Sequence, residues 1–334
     1  MKFIITVDTE ADNQWKPVAG HLPVENLRAL PRFQALCEAH GFPPTYLCTH
    51  EVASAPLFGT TLRAWHENGR AEVGAHLHPW STPPSSQWDL TDRGSAYPSE
   101  LPAEIFTEKL DALTRCVADA LGQRPTSYRA GRWGFSASNV ADLLAQGYIV
   151  DCSVTPLVNW TDAGATGRGP DFRKAPHRPY FIDRHDAATE GDSDLLEVPM
   201  TVLHTNPIAR RWPAISELQH RHRKMRIARV IDGAFDVSPQ WLRPFPRMTV
   251  ARLQRVVETA CALQLPVIEL MLHSSELLPG GSPYNRTAAA VDDVFERLGG
   301  LFRYLRSIQV DGVTLTAYAR EFASTTRRAR VPTQ

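Results

Sequence analysis

Along the chain, apolar strand-forming runs alternate with stretches whose apolar positions recur every three to four residues. Ile4–Asp8, Thr45–Cys48 and Glu72–His76 read as the first three strands. Between them, Pro31–His40 and Leu57–Asn68 carry helical periodicity, with Pro31 suited to a first-turn position. The most regular helix is Pro102–Leu121, where Ile105, Phe106, Leu110, Leu113, Val117 and Leu121 fall on one face. A short strand near Ser127–Arg129, a helix Ser136–Gln146 and a strand Tyr148–Cys152 follow. Four of these helices run into a glycine shortly before a strand: Gly41, Gly69, Gly122 and Gly147. That is the left-handed position past a helix end, where the missing Cβ removes a steric penalty. Repeated strand–helix units of this kind imply a parallel sheet.

The rhythm breaks after Cys152. Residues 155–193 are rich in Pro, Gly, Asp and Arg and read as a long irregular insertion after the fifth strand. Order returns with a strand Leu195–Val202, a helix from about Pro213 to Ile231 and a helix Thr249–Leu263. A strand Val267–His273, a helix Arg286–Ser307 and a final strand near Gly312–Leu315 complete the chain. Seven or eight strands favour an α/β barrel over an open sheet. It forms one domain over 1–322, with the insertion 155–193, a basic helical segment 209–232 and a tail 323–334.

The 334 residues hold 36 Lys+Arg and 36 Asp+Glu, a net charge of zero that argues against a nucleic-acid partner. Apolar residues at 43% and charged residues at 22% are ordinary globular values. No run approaches the roughly 18 apolar residues of a membrane span, so no integral membrane segment is expected. The apolar stretch at Phe3–Val7 is too short for a signal sequence. Five cysteines without a CxxC spacing read as reduced thiols of a cytoplasmic protein.

Polar residues gather where the expected strands end, the face on which α/β barrels build their sites. Asp8 and Glu10 lie two apart at the end of the first strand and so share a face; a metal or an arginine would let both ionise. His76 and His78 repeat that spacing after the third strand and, with a carboxylate nearby, make an open catalytic zinc site. Arg129 and Arg132 flank a glycine turn with Trp133 and suit the orientation of a carboxylate. Asp151 closes the next strand, able to buffer that arginine or tune a histidine, and His273 at the mouth of an apolar strand suits a general acid. Trp80 and Trp133 offer flat faces either to a sugar ring or to packing at the rim. Between 210 and 229, Arg210, Arg211, Arg221, Arg223, Lys224, Arg226 and Arg229 face the single acid Glu217. That field would attract phosphate, or it is a solvated helix face.

In order along residues 3–320, these groups resemble the NodB-homology polysaccharide deacetylases, carbohydrate esterase family 4, and within them a divergent WalW-type branch. Thr6-Val7-Asp8-Thr9-Glu10 stands where that family has Thr-Phe-Asp-Asp, and Glu72–Pro79 resembles its histidine motif. Tyr128–Trp133 resembles the arginine motif, Asp151-Cys152-Ser153 the Asp-x-Ser motif and Leu270–Ser274 the final histidine motif. Two departures stand out: Thr9 replaces the second aspartate, and one residue instead of three separates the histidines. The resemblance implies a polysaccharide-deacetylase barrel and a divalent metal, zinc first, on Glu10, His76 and His78, with Asp12 as a substitute carboxylate. It implies Asp8 as base held by Arg129, His273 as acid charged with help from Asp151, and Trp80, Arg132 and Trp133 as substrate contacts. The activity implied is removal of an N-acetyl group from a sugar or glycan precursor, phosphorylated or not. The alternatives are another metal-dependent amidohydrolase acting on a small amide, or an inactive carbohydrate-binding barrel.

Overall fold

A computed structural model describes the chain except residues 13, 16–21, 88–95, 162–166, 213–229, 231–234 and 331–334. Strands β1 (Lys2–Thr9), β2 (Pro44–Cys48), β3 (Glu72–Leu77), β4 (Ser127–Ala130) and β5 (Val150–Asp151) run parallel and neighbour one another in sequence order. The insertion follows and supplies β6 (Tyr180–Phe181), which pairs antiparallel with β7 (Leu196–Glu197); β7 itself pairs parallel with β5. A two-stranded sheet pairs β8 (Val202–Leu203) with β9 (Gln240–Trp241). Strand β10 (Val267–His273) returns to the free edge of β1, and β11 (Asp311–Gly312) pairs with the first residues of β1.

The result is an α/β fold whose parallel sheet curls into a half-barrel. Among the described residues no ladder joins β7 to β10. Single bonds span that seam: the Glu269 amide donates to Oγ1 of Thr201 at 2.8 Å and the Met271 amide to the Leu242 carbonyl at 3.3 Å.

Alternation along the strands divides the molecule into two cores. Phe3, Ile5 and Val7 of β1, with Val73, Ala75 and Leu77 of β3 and Ile268, Leu270 and Leu272 of β10, face the helices outside. The opposite face of each strand points into the half-barrel and is layered. Its floor is apolar, made by Ile4, Leu47, Val150, Leu196, Val267 and Leu315. Above lie Thr6, Glu269 and Arg129, and at the top Asp8 pairs in register with His273 while His76 pairs with Arg129. Parallel strands buried on both faces normally read as continuous apolar runs; here the inner face turns polar toward the strands' carboxyl ends.

The four expected glycine caps hold: Gly41, Gly69, Gly122 and Gly147 have φ of +67°, +66°, +82° and +90°. No atom lies within 4 Å of where a Cβ would sit on any of them, so φ and not crowding selects glycine. The end of the chain differs from expectation. No strand covers Gly312–Leu315 beyond the two residues of β11; instead a helix runs from Leu315 to Arg330, through most of the expected tail. Side chains from β2 and β3 cap that helix: Thr45 Oγ1 accepts from the Leu315 amide at 3.0 Å and Glu72 from the Thr316 amide at 2.9 Å. The expected strand Leu195–Val202 is split between β7 and β8. The expected helix 213–231, and with it most of the basic segment, lies outside the described residues; Pro207–Arg211 before it is helical.

Candidate active site

Glu10, His76 and His78 present ligand atoms that all lie within 4.8 Å of one another, and all three residues are buried. Oε1 of Glu10 is 2.9 Å from Nε2 of His76 and 3.2 Å from Nε2 of His78. Nδ1 of His76 sits 3.0 Å from the Arg129 carbonyl oxygen. Donation from Nδ1 to that oxygen leaves the Nε2 lone pair aimed at the cluster, the usual arrangement behind a ligating imidazole. Among the described residues Nδ1 of His78 has no hydrogen-bond partner, although the residue is 4% exposed, and its Nε2 faces Glu10. Two imidazoles and one carboxylate around such an orphaned atom fit a divalent cation of the zinc type.

Asp8 flanks this cluster. Its Oδ1 is 2.6 Å from a terminal nitrogen of Arg129, a side chain with no exposed surface. Burial would raise the Asp8 carboxyl, but the guanidinium, with His76 and His273, outweighs it and holds the group below its ordinary value. Burial likewise opposes ionisation of Glu10, and His78 with His76 outweighs it, leaving that carboxylate well below the ordinary value. For His78 burial wins and the imidazole is shifted toward its neutral, ligating form. Arg129 also ion-pairs Glu269 from β10 and donates to the Cys152 carbonyl at 3.0 Å, so it ties β1 to β10 and to the residue that follows β5. Burial nevertheless lifts Glu269 to about 7.

His273 completes the cluster from the other side, its Nε2 3.8 Å from Asp8 Oδ2 and 3.9 Å from Glu10 Oε1. The sequence reading made Asp151 its partner, and the structure corrects this. Asp151 accepts from the amide and hydroxyl of Ser153 at 2.9 and 2.7 Å and is hydrogen-bonded to Glu197. Burial raises the Asp151 carboxyl above its ordinary value, and burial together with the neighbouring Asp151 raises that of Glu197 well above its own. The carboxylate that meets Nδ1 of His273 is Glu276, at 2.9 Å.

Asp12 is turned away from the cluster: it accepts from the amides of Glu25 and Asn26 at 3.0 and 2.9 Å and caps the 3-10 turn that begins there. Trp80 packs on His78 with ring centroids 4.1 Å apart. The turn after β4 puts Arg132 and Trp133 in the left-handed region, φ +55° and +64°, a strained choice for an indole. It lays Trp133 over the Arg129 guanidinium at 4.8 Å and against Trp241 at 5.8 Å, whereas Arg132 stacks on Tyr97 at 4.7 Å.

Several groups escaped sequence reasoning. Glu269 could have been found, since Glu269, Met271 and His273 alternate on one face of a strand. Glu276 stands three residues after His273, a capping-box spacing. Arg243, Trp15 (4.9 Å from the His273 ring) and Lys109, which donates to the carbonyls of Pro79, Thr82 and Pro84, carry no local signal.

No protein-family model matches the chain, and no curated protein matches its sequence. Solved structures do share the fold. A glycoside hydrolase/deacetylase from Parabacteroides distasonis superposes with a TM-score of 0.59 at 13% identity, over 98% of this chain and 71% of that one. A 4-alpha-glucanotransferase from Thermococcus litoralis gives 0.52 at 12% identity, over 95% of this chain and 40% of that one. Puue allantoinase gives 0.50 at 17% identity, over 97% and 90%. Structures described as a glycoside hydrolase/deacetylase, a glucanotransferase and an allantoinase thus share this fold, so the chemistry here has to be argued from side chains. Among the described residues no helix is long and apolar enough to cross a membrane.

Proposed function

We propose that the chain is a metal-dependent hydrolase that removes an N-acetyl group from a sugar or glycan precursor. On its five motifs we assign it to the NodB-homology deacetylases, and within them to the WalW-type branch. The observation that carries the reading is convergence: three ligand-type side chains from β1 and β3, with an ionised carboxylate and an imidazole on their flanks, all within 4 Å steps.

Glu10, His76 and His78 would hold the cation. When bound, it supplies Lewis acidity to the acyl carbonyl and to the attacking water. Asp8, kept ionised by Arg129, is placed to take the water's proton. His273, across the cluster, is placed to protonate the amine as it leaves. An amide needs that proton because an amine anion is too basic to depart at neutral pH. Trp80, beside His78, offers a face to a sugar ring; Trp133 is committed to covering Arg129 and belongs to the rim. Seven basic residues against Glu217 between 210 and 229 favour a precursor that carries phosphate.

The test is metal analysis of the purified protein together with acetate release from a panel of N-acetylhexosamine derivatives with and without phosphate. Stoichiometric divalent metal, lost with activity in His78→Ala, is the expected result. Release of ammonia or a ureido group from small amides instead would favour the second reading, to which the allantoinase likeness lends support. Metal-free, inert protein would identify a carbohydrate-binding barrel and reject both.

A further inference from the structure

Strand β10 ends on His273, and the chain turns at once through the 3-10 turn Ser274–Leu277. The turn brings Glu276 back to the imidazole, with Oε1 2.9 Å from Nδ1 and 3.4 Å from the His273 amide. Arg243, two residues past β9, ion-pairs the same carboxylate and places a terminal nitrogen 2.7 Å from Nδ1. Glu276 and Arg243 are both buried. The other ring nitrogen, Nε2, faces Asp8 and Glu10.

Nδ1 cannot donate to Glu276 and accept from Arg243 together. The guanidinium already has an anionic partner in Glu276, whereas a carboxylate next to a ring nitrogen requires a hydrogen on that nitrogen. We infer that Glu276, held by Arg243, is the positioning residue for His273: it keeps a hydrogen on Nδ1 and reserves Nε2 for proton exchange with the substrate. The inference rests on the deacetylase reading, in which His273 serves the leaving amine. In that step the Nε2–H bond breaks, a new N–H bond forms on the amine nitrogen, and the C–N bond breaks with its electron pair going to that nitrogen. The ring ends neutral with its hydrogen on Nδ1, the form that Glu276 selects. Asp151, committed to Ser153 and Glu197, takes no part.

Glu276 also caps the turn, so lost stability alone would say nothing about catalysis. Glu276→Gln keeps an oxygen for the cap and removes the charge. The decisive comparison is between leaving groups: an N-acetyl amide needs its nitrogen protonated, while an aryl acetate expels a phenolate unaided. We expect kcat of Glu276→Gln to fall at least about tenfold further on the amide than on the aryl ester, within the range of general-acid contributions. KM should hold, and the variant combined with His273→Ala should be no worse than His273→Ala alone. Equal losses on both substrates overturn the inference.

A second measurement is independent of turnover. At a pH high enough to keep the ring neutral, the 15N shifts of the His273 ring in metal-free protein should show the hydrogen on Nδ1, shifting toward Nε2 in Glu276→Gln and in Arg243→Gln. A wild-type ring with its hydrogen on Nε2 overturns the inference. Wild-type protein inert to amide and ester alike would reject the deacetylase reading, and the ring shifts would still decide the role of Glu276.

Discussion

Gly131 fixes where His78 can sit. A Cβ there would collide with Nδ1 of His78 and lie 2.5 Å from the Leu77 carbonyl oxygen, so the position is closed to any larger residue. Gly131→Ala should displace the imidazole and, on the proposed metal-site reading, weaken the uptake of an added divalent cation by at least about tenfold, at a cost of about 1–3 kcal/mol typical of overpacking; metal titration and urea unfolding check both. Glu276 gives a pH signature. Burial would raise its carboxyl, yet Arg243 and then His273 bring it from an ordinary 4.5 down to about 2. A depressed carboxylate adds stability above its unfolded value and loses it as pH falls through the folded one. The contribution, about 3 kcal/mol at 1.36 per pH unit, should therefore be complete above pH 4.5 and vanish near pH 2. The stability gap between wild type and Glu276→Gln should close over that window in acid-dependent unfolding. At this scale the sequence was informative wherever side chains follow strand period. Alternation pairs Asp8 with Glu10 and His76 with His78, the strand end marks His273, and the structure brings all five together. Asp151 is misassigned because Val150, its neighbour in the two-residue strand, lies on the inner floor, so alternation turns Asp151 to the opposite face beside Tyr128 and Glu197.

Among the elements, the helix Ala103–Leu121 shows how a periodic reading can be right and incomplete. Phe106, Leu110, Leu113 and Val117 bury its apolar face as expected, but so does Lys109. Its ammonium donates to the carbonyls of Pro79, Thr82 and Pro84 at 2.9, 2.6 and 2.5 Å and pins the loop that leads away from His78. Lys109→Met should leave those acceptors undersatisfied, at about 1–3 kcal/mol for each one that finds no water, and loosen Trp80. A lowered Tm with a changed tryptophan fluorescence would report it. Glycine-capped helices and long strands were legible because their signals are local. The two-residue strands β5, β7 and β8 were drawn too long, since what ends them is the partner strand and not their own composition. The closing helix was missed because its caps, Thr45 and Glu72, lie more than 240 residues earlier.

For the whole molecule, the seam between β7 and β10 is the least bonded part of the wall. The amides of Glu269 and Met271 point into it, and those of Ile268, Leu270 and Leu272 point toward β1, since neighbours along a strand face opposite edges. Hydrogen exchange should therefore release Glu269 and Met271 before Leu270, and Thr201→Val, which removes the acceptor of the Glu269 amide, should speed Glu269 further. Equal protection on both edges would mean that the wall is closed by interactions beyond these bonds. An α/β barrel of parallel strands and the polarity at the strand ends are readable from the chain; that the sheet curls into a half-barrel is not, because closure depends on how far a curled sheet reaches around.

The register that sets Asp8 beside His273 joins the first tenth of the chain to its ninth. Strand β1 is central in the finished sheet, yet one of its edges has no partner until residues 267–273 emerge. Such long-range pairing is slow and leaves an exposed template for mispairing in the meantime. A nascent chain that stops short of His273 lacks one flank of the cluster, so Asp8, Glu10, His76 and His78 meet their last neighbour only after most of the chain has been made.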